Sequence, residues 1–419
     1  MTSQYDFTTE VAIIGAGPAG AAASMELAKQ KIPHIIIDKA IFPRDKICGD
    51  GLSPKTPFVL NKLDPNIVHE MIADTKRFTA LNGGRGSSPS GAKLDARFEG
   101  STLGKDIPFA FTSRRFDFDQ FLLEHLDKNY ATTHFDCNVI SLEKTADGIE
   151  IICEKQGKKH KILCKIIVGA DGDRSIVKKT FAPSKLDPAH YVAGIRAYYK
   201  NVEGLGTQFE FHFLSSIMPG YFWIFPLPNG EANIGVGMLS EDISKRKLNL
   251  RELMLEAIAT EPRLKDRFEK AELQGKIQGW GLPLGSKLGI LSGERFMLTG
   301  DAGSFIDPIS GEGIANAIYT GMYAAQAIST AKGDYSAVNM KKQYDVRIHR
   351  TMGTDLKMSY WGQRIGRFPW ILNFVFKKVE RSQFLRENLD VLTDLTKRKM
   401  LYNPLFVLRI LFIILNPFI

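Results

Sequence analysis

A chain of 419 residues is too long for one simple core and implies two or three domains. Its 44% hydrophobic and 24% charged content excludes a disordered chain, and no uncharged apolar run reaches the ~20 residues that a spanning helix needs. The net charge of +9 is concentrated: residues 341–419 hold 15 Lys and Arg against 6 Asp and Glu, which leaves 55 − 15 = 40 basic and 46 − 6 = 40 acidic residues elsewhere.

In chain order, Asp6 and Glu10 precede the first apolar run, so no secretory signal is read there. A buried strand over 11–14 runs into Gly15-x-Gly17-Pro18-Ala19-Gly20, then an alanine-rich helix and a second apolar strand ending in Asp38-Lys39. Gly15 permits the turn, Gly17 lets a pyrophosphate approach the backbone, and Gly20 allows close helix–strand packing. The helix start adds free N–H groups and a positive dipole end, and Asp38 stands where a carboxylate accepts ribose hydroxyls. With strand, glycines, helix, strand and acid all in order, a dinucleotide site is predicted.

Pro43 to Pro54 (PRDKICGDGLSP) has no hydrophobic period and reads as a loop presenting Cys48. Gly49 and Gly51 allow a sharp turn or a close approach, and Arg44 and Lys46 favour a thiolate if they lie near the sulfur. Cys137, Cys153 and Cys164 fall in or near strand-like runs and read as small core residues. The four cysteines follow neither a zinc nor a disulfide spacing, and the expectation is no metal and a reducing, cytoplasmic compartment.

Residues 166–177 (IIVGADGDRSIV) give a strand ending in Asp171-Gly172. Residues 295–318 give a strand ending in Gly300-Asp301, a loop, and a helix starting near Gly311-Glu-Gly313-Ile314, whose N-terminus suits the negative charge of a reduced flavin ring. Between them, residues 191–199, 207–214, 220–226 and 231–238 are short, aromatic and β-branched, the texture of an antiparallel sheet. Such a sheet forms a second domain whose face is expected to cover the cofactor. Alternation puts Tyr221, Trp223 and Phe225 on one side of a strand, where they serve equally as a core stripe or as a ligand channel. The expected division is residues 1–65, 110–180 and 275–335 for the cofactor, 66–109 and 181–274 for substrate, and 336–419 as a basic helical segment. Within the last, 367–378 and 404–415 join apolar runs to Lys and Arg, the signature of an interfacial helix on an anionic membrane, here the inner face. Charge confined to one terminus speaks against nucleic acid.

These motifs together resemble the flavoprotein superfamily of the p-hydroxybenzoate hydroxylase fold, over roughly residues 8–335. More narrowly, Tyr221-x-Trp223-x-Phe225-Pro226 with Gly235-x-Gly237, and the Cys48-Gly49-Asp50 loop, are similar to two signatures of the geranylgeranyl reductase family. The resemblance implies an α/β fold: a Rossmann-like FAD-binding domain, an interleaved antiparallel substrate sheet and a helical C-terminal segment. It implies FAD held by the glycine turn, Asp38-Lys39, Cys48-Gly49, Arg115 (in Arg115-x-x-Phe118-Asp119-x-x-Leu122, with Arg114 adjacent), Val139, Asp171-Gly172, Gly300-Asp301 and Gly311 to Ile314. It implies that the aromatics, Pro226, Gly235 and Gly237 line a prenyl-chain channel, and that Cys48, Gly49 and Asp50 form the catalytic loop. The expected reaction saturates C=C bonds of a geranylgeranyl or polyprenyl lipid or diphosphate. Hydride comes from reduced FAD and electrons from NADPH or a ferredoxin-type carrier, and the protein is expected to be monomeric. The alternatives are a monooxygenase or halogenase of the same fold acting on an aromatic or polyketide-like substrate, a non-catalytic flavin- or lipid-binding protein at a membrane, and a reductase of another polyene or isoprenoid. Halogenases resemble WxWxIP, where this chain has Tyr221 and Phe225, and retention of the Cys48 loop argues against a binding protein.

Overall fold

The computed structural model describes residues 4–388, 400 and 403–415; the basic residues at 397–399 lie outside the described residues. Two compact units account for the chain. The first comprises residues 1–46, 115–190 and 282–361, the second residues 47–114, 191–281 and 362–419. Residues 47–65, grouped from sequence with the cofactor part, thus fall in the second unit, and 336–361 fall in the first.

The first unit is built on a parallel sheet in the order Phe296–Leu298, Lys158–Gly169, Phe7–Ile14, His34–Ile37, Ala131–His134. Apolar runs covered on both faces form the centre of this sheet, where Val11 to Ile14 and Ile35 to Ile37 are fully or nearly fully buried, whereas the outer strand Ala131–His134 exposes Thr132 and Thr133. Ile149–Lys155 pairs antiparallel with the first half of Lys158–Gly169, and Asn138–Lys144 pairs antiparallel with Ile149–Lys155. Cys137, Cys153 and Cys164 belong to the core between these strands. Helix Pro18–Lys29 packs on helix Ile314–Ala331, and alanines on both allow that approach.

The second unit holds a seven-stranded sheet in the order Glu272–Pro283, Tyr191–Lys200, Glu231–Leu239, Tyr221–Pro226, Phe209–His212, Gly83–Ser87, Lys93–Arg97. It is mixed and not wholly antiparallel as expected, because Gly83–Ser87 pairs in parallel with Phe209–His212. The chain reaches this strand by a long connection through the other strands, which a hairpin reading of neighbouring segments does not anticipate. On one face Phe222, Ile224, Ile234 and Val236 meet Leu250, Met254 and Ala257 of helix Leu250–Thr260. The other face carries Trp223, Phe225 and Phe209 against Leu81, Phe109 and Ala110. A three-stranded sheet of Gly51–Leu52, Ala110–Thr112 and Thr79–Leu81 ties the segment after Cys48 into this unit. Helices Pro369–Arg381, Gln383–Glu387 and Pro404–Leu415 complete it. Among the described residues no helix is long and apolar enough to cross a membrane.

Candidate functional site

In the first unit the glycine turn follows the strand directly. Gly15 has φ +99°, and a Cβ on Gly20 would lie 1.9 Å from the Gly15 carbonyl oxygen, so helix and strand close up only without side chains. Asp38 organises the turn: its Oδ2 accepts from Ala16 N at 2.7 Å and its Oδ1 from Ala40 N at 2.8 Å. Each oxygen keeps a second lone pair for a ligand hydroxyl. Gly17 is the N-cap of the helix, extended, with no side chain capping the helix start, and Pro18 follows as the first helical residue.

Two guanidiniums face this helix start. Arg44 Nη2 and Arg115 Nη2 lie 3.6 and 3.9 Å from where a Gly17 Cβ would stand. Arg115 binds Asp119 through both oxygens, at 2.6 and 2.7 Å, and Arg44 Nη1 reaches the same carboxylate at 2.6 Å. Burial opposes ionisation of Asp119, but the two arginines outweigh it and hold the carboxyl below its usual range. Two cations against one anion leave a surplus positive charge beside an uncapped helix start, the requirement for a pyrophosphate. Arg114 belongs to the second unit, where it pairs with Glu231, so Arg115 is the arginine at the turn.

Elsewhere in this unit Asp301 lies 3.5 Å from Lys46 Nζ, and its Oδ1 is 3.7 Å from where a Gly313 Cβ would stand. Arg44 and Lys46, expected as activators of the Cys48 thiol, are instead paired with carboxylates of the first unit. The reason is that their partners, Asp119 and Asp301, come from distant parts of the chain. Gly311 has φ +71°, Ile314 is buried, and no side chain of the N-cap Gly313 caps the helix. Glu312 takes the N–H of Ala315, at 2.8 Å, so part of that helix start is already answered by an anion. Asp171 Oδ2 accepts from Ile176 N at 2.6 Å, whereas its Oδ1 is buried without a hydrogen-bond partner. Burial pushes this carboxyl up. Gly172 has φ +77° and Gly300 φ +55°; Val139 packs on the core of the unit and Lys39 is exposed. A buried orphan acceptor and a cationic helix start fit FAD, whose hydroxyls donate and whose pyrophosphate is anionic.

In the second unit the Cys48 loop lies against the aromatic face of the sheet. A Cβ on Gly49 would be 3.4 Å from the Phe225 ring, and one on Gly51 3.0 Å from Phe209. The sharp turn is made at Asp50, φ +62°, and not at either glycine as expected. Asp50 is fully buried, and its Oδ2 accepts from Tyr198 Oη and from Asn233 Nδ2, both at 2.8 Å. Asn233 Nδ2 also donates to Cys48 O at 2.8 Å, and its Oδ1 accepts from Trp223 Nε1 at 2.9 Å. Tyr221, Trp223 and Phe225 share the face, with successive ring centroids 6.0 and 6.1 Å apart. Gly235 is required there, since its Cβ would stand 2.1 Å from Trp223 Cζ2; Gly237 is 3.7 Å from the same ring, and Pro226 closes the strand. Asn233 and Tyr198 are absent from the residues picked out by sequence, and Arg44 is picked out there for the Cys48 thiol and not for the cofactor turn. Cys48 is half-buried and forms no disulfide, whereas Cys137, Cys153 and Cys164 are buried.

A family model described as FAD binding domain matches residues 8–194. Menaquinone reductase of Mycobacterium tuberculosis is 30% identical over 341 residues, 78% of this chain and 78% of its own. Digeranylgeranylglycerophospholipid reductase of Methanosarcina acetivorans is 29% identical over 358 residues, 84% of this chain and 83% of its own. Among solved structures, a geranylgeranyl bacteriochlorophyll reductase-like protein from Thermoplasma acidophilum has a TM-score of 0.78 at 24% identity, covering 95% of this chain and 99% of its own. A halogenase solved in complex with FAD has a TM-score of 0.71 at 17% identity, covering 90% and 79%. At such identities the solved structures share the fold alone, whereas the sequence relatives share most of the chain. Together with the dinucleotide turn and the Cys48 loop, they show that the chain belongs to the geranylgeranyl reductase family of FAD-dependent oxidoreductases.

Proposed function

We propose that this enzyme saturates isolated C=C bonds in the prenyl chain of a membrane lipid, a quinone side chain or a prenyl diphosphate. The observation that carries the reading is the Cys48 loop held by main-chain and side-chain hydrogen bonds on an aromatic sheet face. The names of the relatives, reductases of menaquinone and of a digeranylgeranyl lipid, support this substrate class. When bound and reduced, FAD would supply a hydride to one alkene carbon, and it would be restored by a hydride from NADPH or by two single-electron transfers from a ferredoxin-type carrier with protons from water.

The chain has three tasks. Asp38, Arg44, Arg115, Asp171, Asp301 and the two glycine-bounded helix starts hold the cofactor. Tyr221, Trp223 and Phe225 offer a prenyl chain apolar area without demanding hydrogen bonds. Cys48 transfers its Sγ proton to the second alkene carbon, and water returns a proton to the thiolate; one hydride and one proton complete the saturated bond. Asp50 serves the loop as a buried tether. The C-terminal helices attach reversibly to an anionic bilayer surface: Trp370 and Phe374 are exposed on one stripe that continues into Lys377 and Arg381.

The test is anaerobic incubation of pre-reduced enzyme with a geranylgeranyl lipid, read by mass spectrometry as a gain of two hydrogens per bond. Cys48→Ala is expected to keep FAD and slow that gain at least ten-fold, since a placed proton donor contributes ~10²–10⁴ in rate. No mass gain with any of the three substrate types, or substrate-stimulated oxygen consumption instead, would overturn the proposal.

A further inference from the structure

Asn233 has one acceptor and two N–H donors on its amide, and all are engaged. The indole N–H of Trp223 can only donate, so it fixes the amide oxygen towards itself. The NH₂ group is thereby turned to Cys48 O and Asp50 Oδ2. Asp50 holds a left-handed backbone conformation that a side-chain-bearing residue adopts rarely, and three further groups keep it there. Its carboxylate accepts from Tyr198 Oη as well as Asn233, and its carbonyl accepts from Ser113 N at 3.1 Å. Tyr198 is clamped in turn: the Arg114 and Arg196 guanidiniums lie 4.1 and 4.2 Å from its ring centroid. Arg114 pairs with Glu231, and Arg196 Nη1 donates to Gln278 at 2.9 Å. Each link originates on a sheet strand or at its border, so the loop borrows the rigidity of the sheet.

We propose that Asn233 is the positioning residue for Cys48, orienting its peptide directly and through Asp50 and Tyr198. This rests on the reading of Cys48 as the proton donor, yet its test does not require that reading. The other three cysteines are buried, and Cys153 and Cys164 are pushed up to about 12, so alkylation of the folded holoenzyme reports Cys48 alone.

The experiment compares wild type with Asn233→Leu, which keeps the branched side-chain skeleton, removes its polar atoms and adds no charge, and with Tyr198→Phe, which removes a single hydroxyl. Iodoacetamide labelling of each FAD-replete protein is followed residue by residue by mass spectrometry, beside kcat and KM for prenyl reduction. Loosening the loop is expected to raise the Cys48 alkylation rate at least five-fold in Asn233→Leu, with the other cysteines unlabelled. The same variant is expected to lose at least ten-fold in kcat, with KM within three-fold. Tyr198→Phe should move both readouts in the same directions by less. A folded Asn233→Leu with wild-type alkylation and wild-type kcat overturns the proposal. If that variant does not fold, unchanged Cys48 alkylation in Tyr198→Phe overturns it instead. A wild type that reduces no prenyl substrate, while Asn233→Leu still accelerates alkylation, sinks the reductase reading and supports the positioning.

Discussion

Gly17→Ala separates folding from cofactor binding at the dinucleotide turn. At this position φ is −73° and ψ −172°, extended backbone open to alanine. The nearest atoms to the new Cβ would be the arginine tips at 3.6 and 3.9 Å, ordinary contact distances. The protein without flavin should therefore fold normally, and the lost chain entropy of glycine would stabilise it by about 0.5 kcal/mol. The methyl group does, however, stand on the helix start beneath both guanidiniums, where a pyrophosphate would come closest. Displacing one charge-assisted hydrogen bond costs about 2 kcal/mol, and at 1.4 kcal/mol per decade the Kd for FAD rises about thirty-fold. Gly20→Ala is the contrast, because its Cβ would sit 1.9 Å from a backbone oxygen and no side-chain movement relieves that. Deflavinated protein titrated with FAD, read by fluorescence quenching, gives the Kd, and circular dichroism on heating gives the fold. A Kd within three-fold of wild type, or an unfolded Gly17→Ala, would refute the assignment of this turn to the pyrophosphate.

Further outcomes are expected elsewhere in the molecule. Asp301→Ala breaks the ion pair with Lys46 and removes an acceptor beside Gly313, so flavin should be lost on gel filtration, seen as a fall in absorbance near 450 nm relative to 280 nm. Burial opposes ionisation of Glu210, but hydrogen bonds from His212, Arg267 and Arg85 outweigh it and hold its carboxyl at about 2. A folded value below the unfolded 4.5 stabilises at neutral pH, by roughly 3 kcal/mol, and that share is lost as pH falls from 4.5 towards 2. The destabilisation of Glu210→Gln relative to wild type should accordingly shrink across that window in urea titrations; a constant difference would contradict the network. Trp370→Ser with Phe374→Ser changes exposed side chains and should leave melting unaltered, while lowering co-sedimentation with phosphatidylserine vesicles at low salt. Equal sedimentation of this variant and wild type would remove the membrane face.

Legible in the sequence are the features written in consecutive residues. The glycine turn, the acid closing the second strand and the aromatic alternation of 221–225 all express local backbone rules, and each lies where its pattern indicates. Pairings across long sequence separations were not legible. Arg44 reads as a neighbour of Cys48, four residues on, but its carboxylate partner is Asp119, which helix Arg115–Glu124 supplies from far along the chain. The parallel pairing of Gly83–Ser87 with Phe209–His212 was invisible for the same reason. Asp50 illustrates a different failure. Glycine is the default for positive φ, yet here an aspartate takes it, held by the hydrogen bonds its carboxylate accepts from Tyr198 and Asn233.

Asn233 could in fact have been found. Alternation along Glu231–Leu239 places 233, 235 and 237 on one side of the strand, and the two glycines there are the recognisable part of the aromatic motif. A single amide beside those two glycines, on a strand paired with Trp223 and Phe225, cannot remain unsatisfied once water is excluded. Its partners had to be a donor-only indole on the neighbouring strand and carbonyl or carboxylate groups arriving from elsewhere. The segment around Cys48, which has no hydrophobic period, reads as a loop able to bring such groups. Gly235 has a structural task of its own: it lets the Trp223 ring lie across the strand, which brings its Nε1 to Asn233. On this argument Gly235→Ala should disturb Cys48 without touching it, because its Cβ would stand 2.1 Å from the indole and 2.4 Å from the fixed carbonyl of Ile195. The indole has to leave, Asn233 loses the contact that orients its amide, and Cys48 alkylation should rise as it does in Asn233→Leu. A Gly235→Ala protein that retains wild-type alkylation would show that the ring and the cysteine loop are independent.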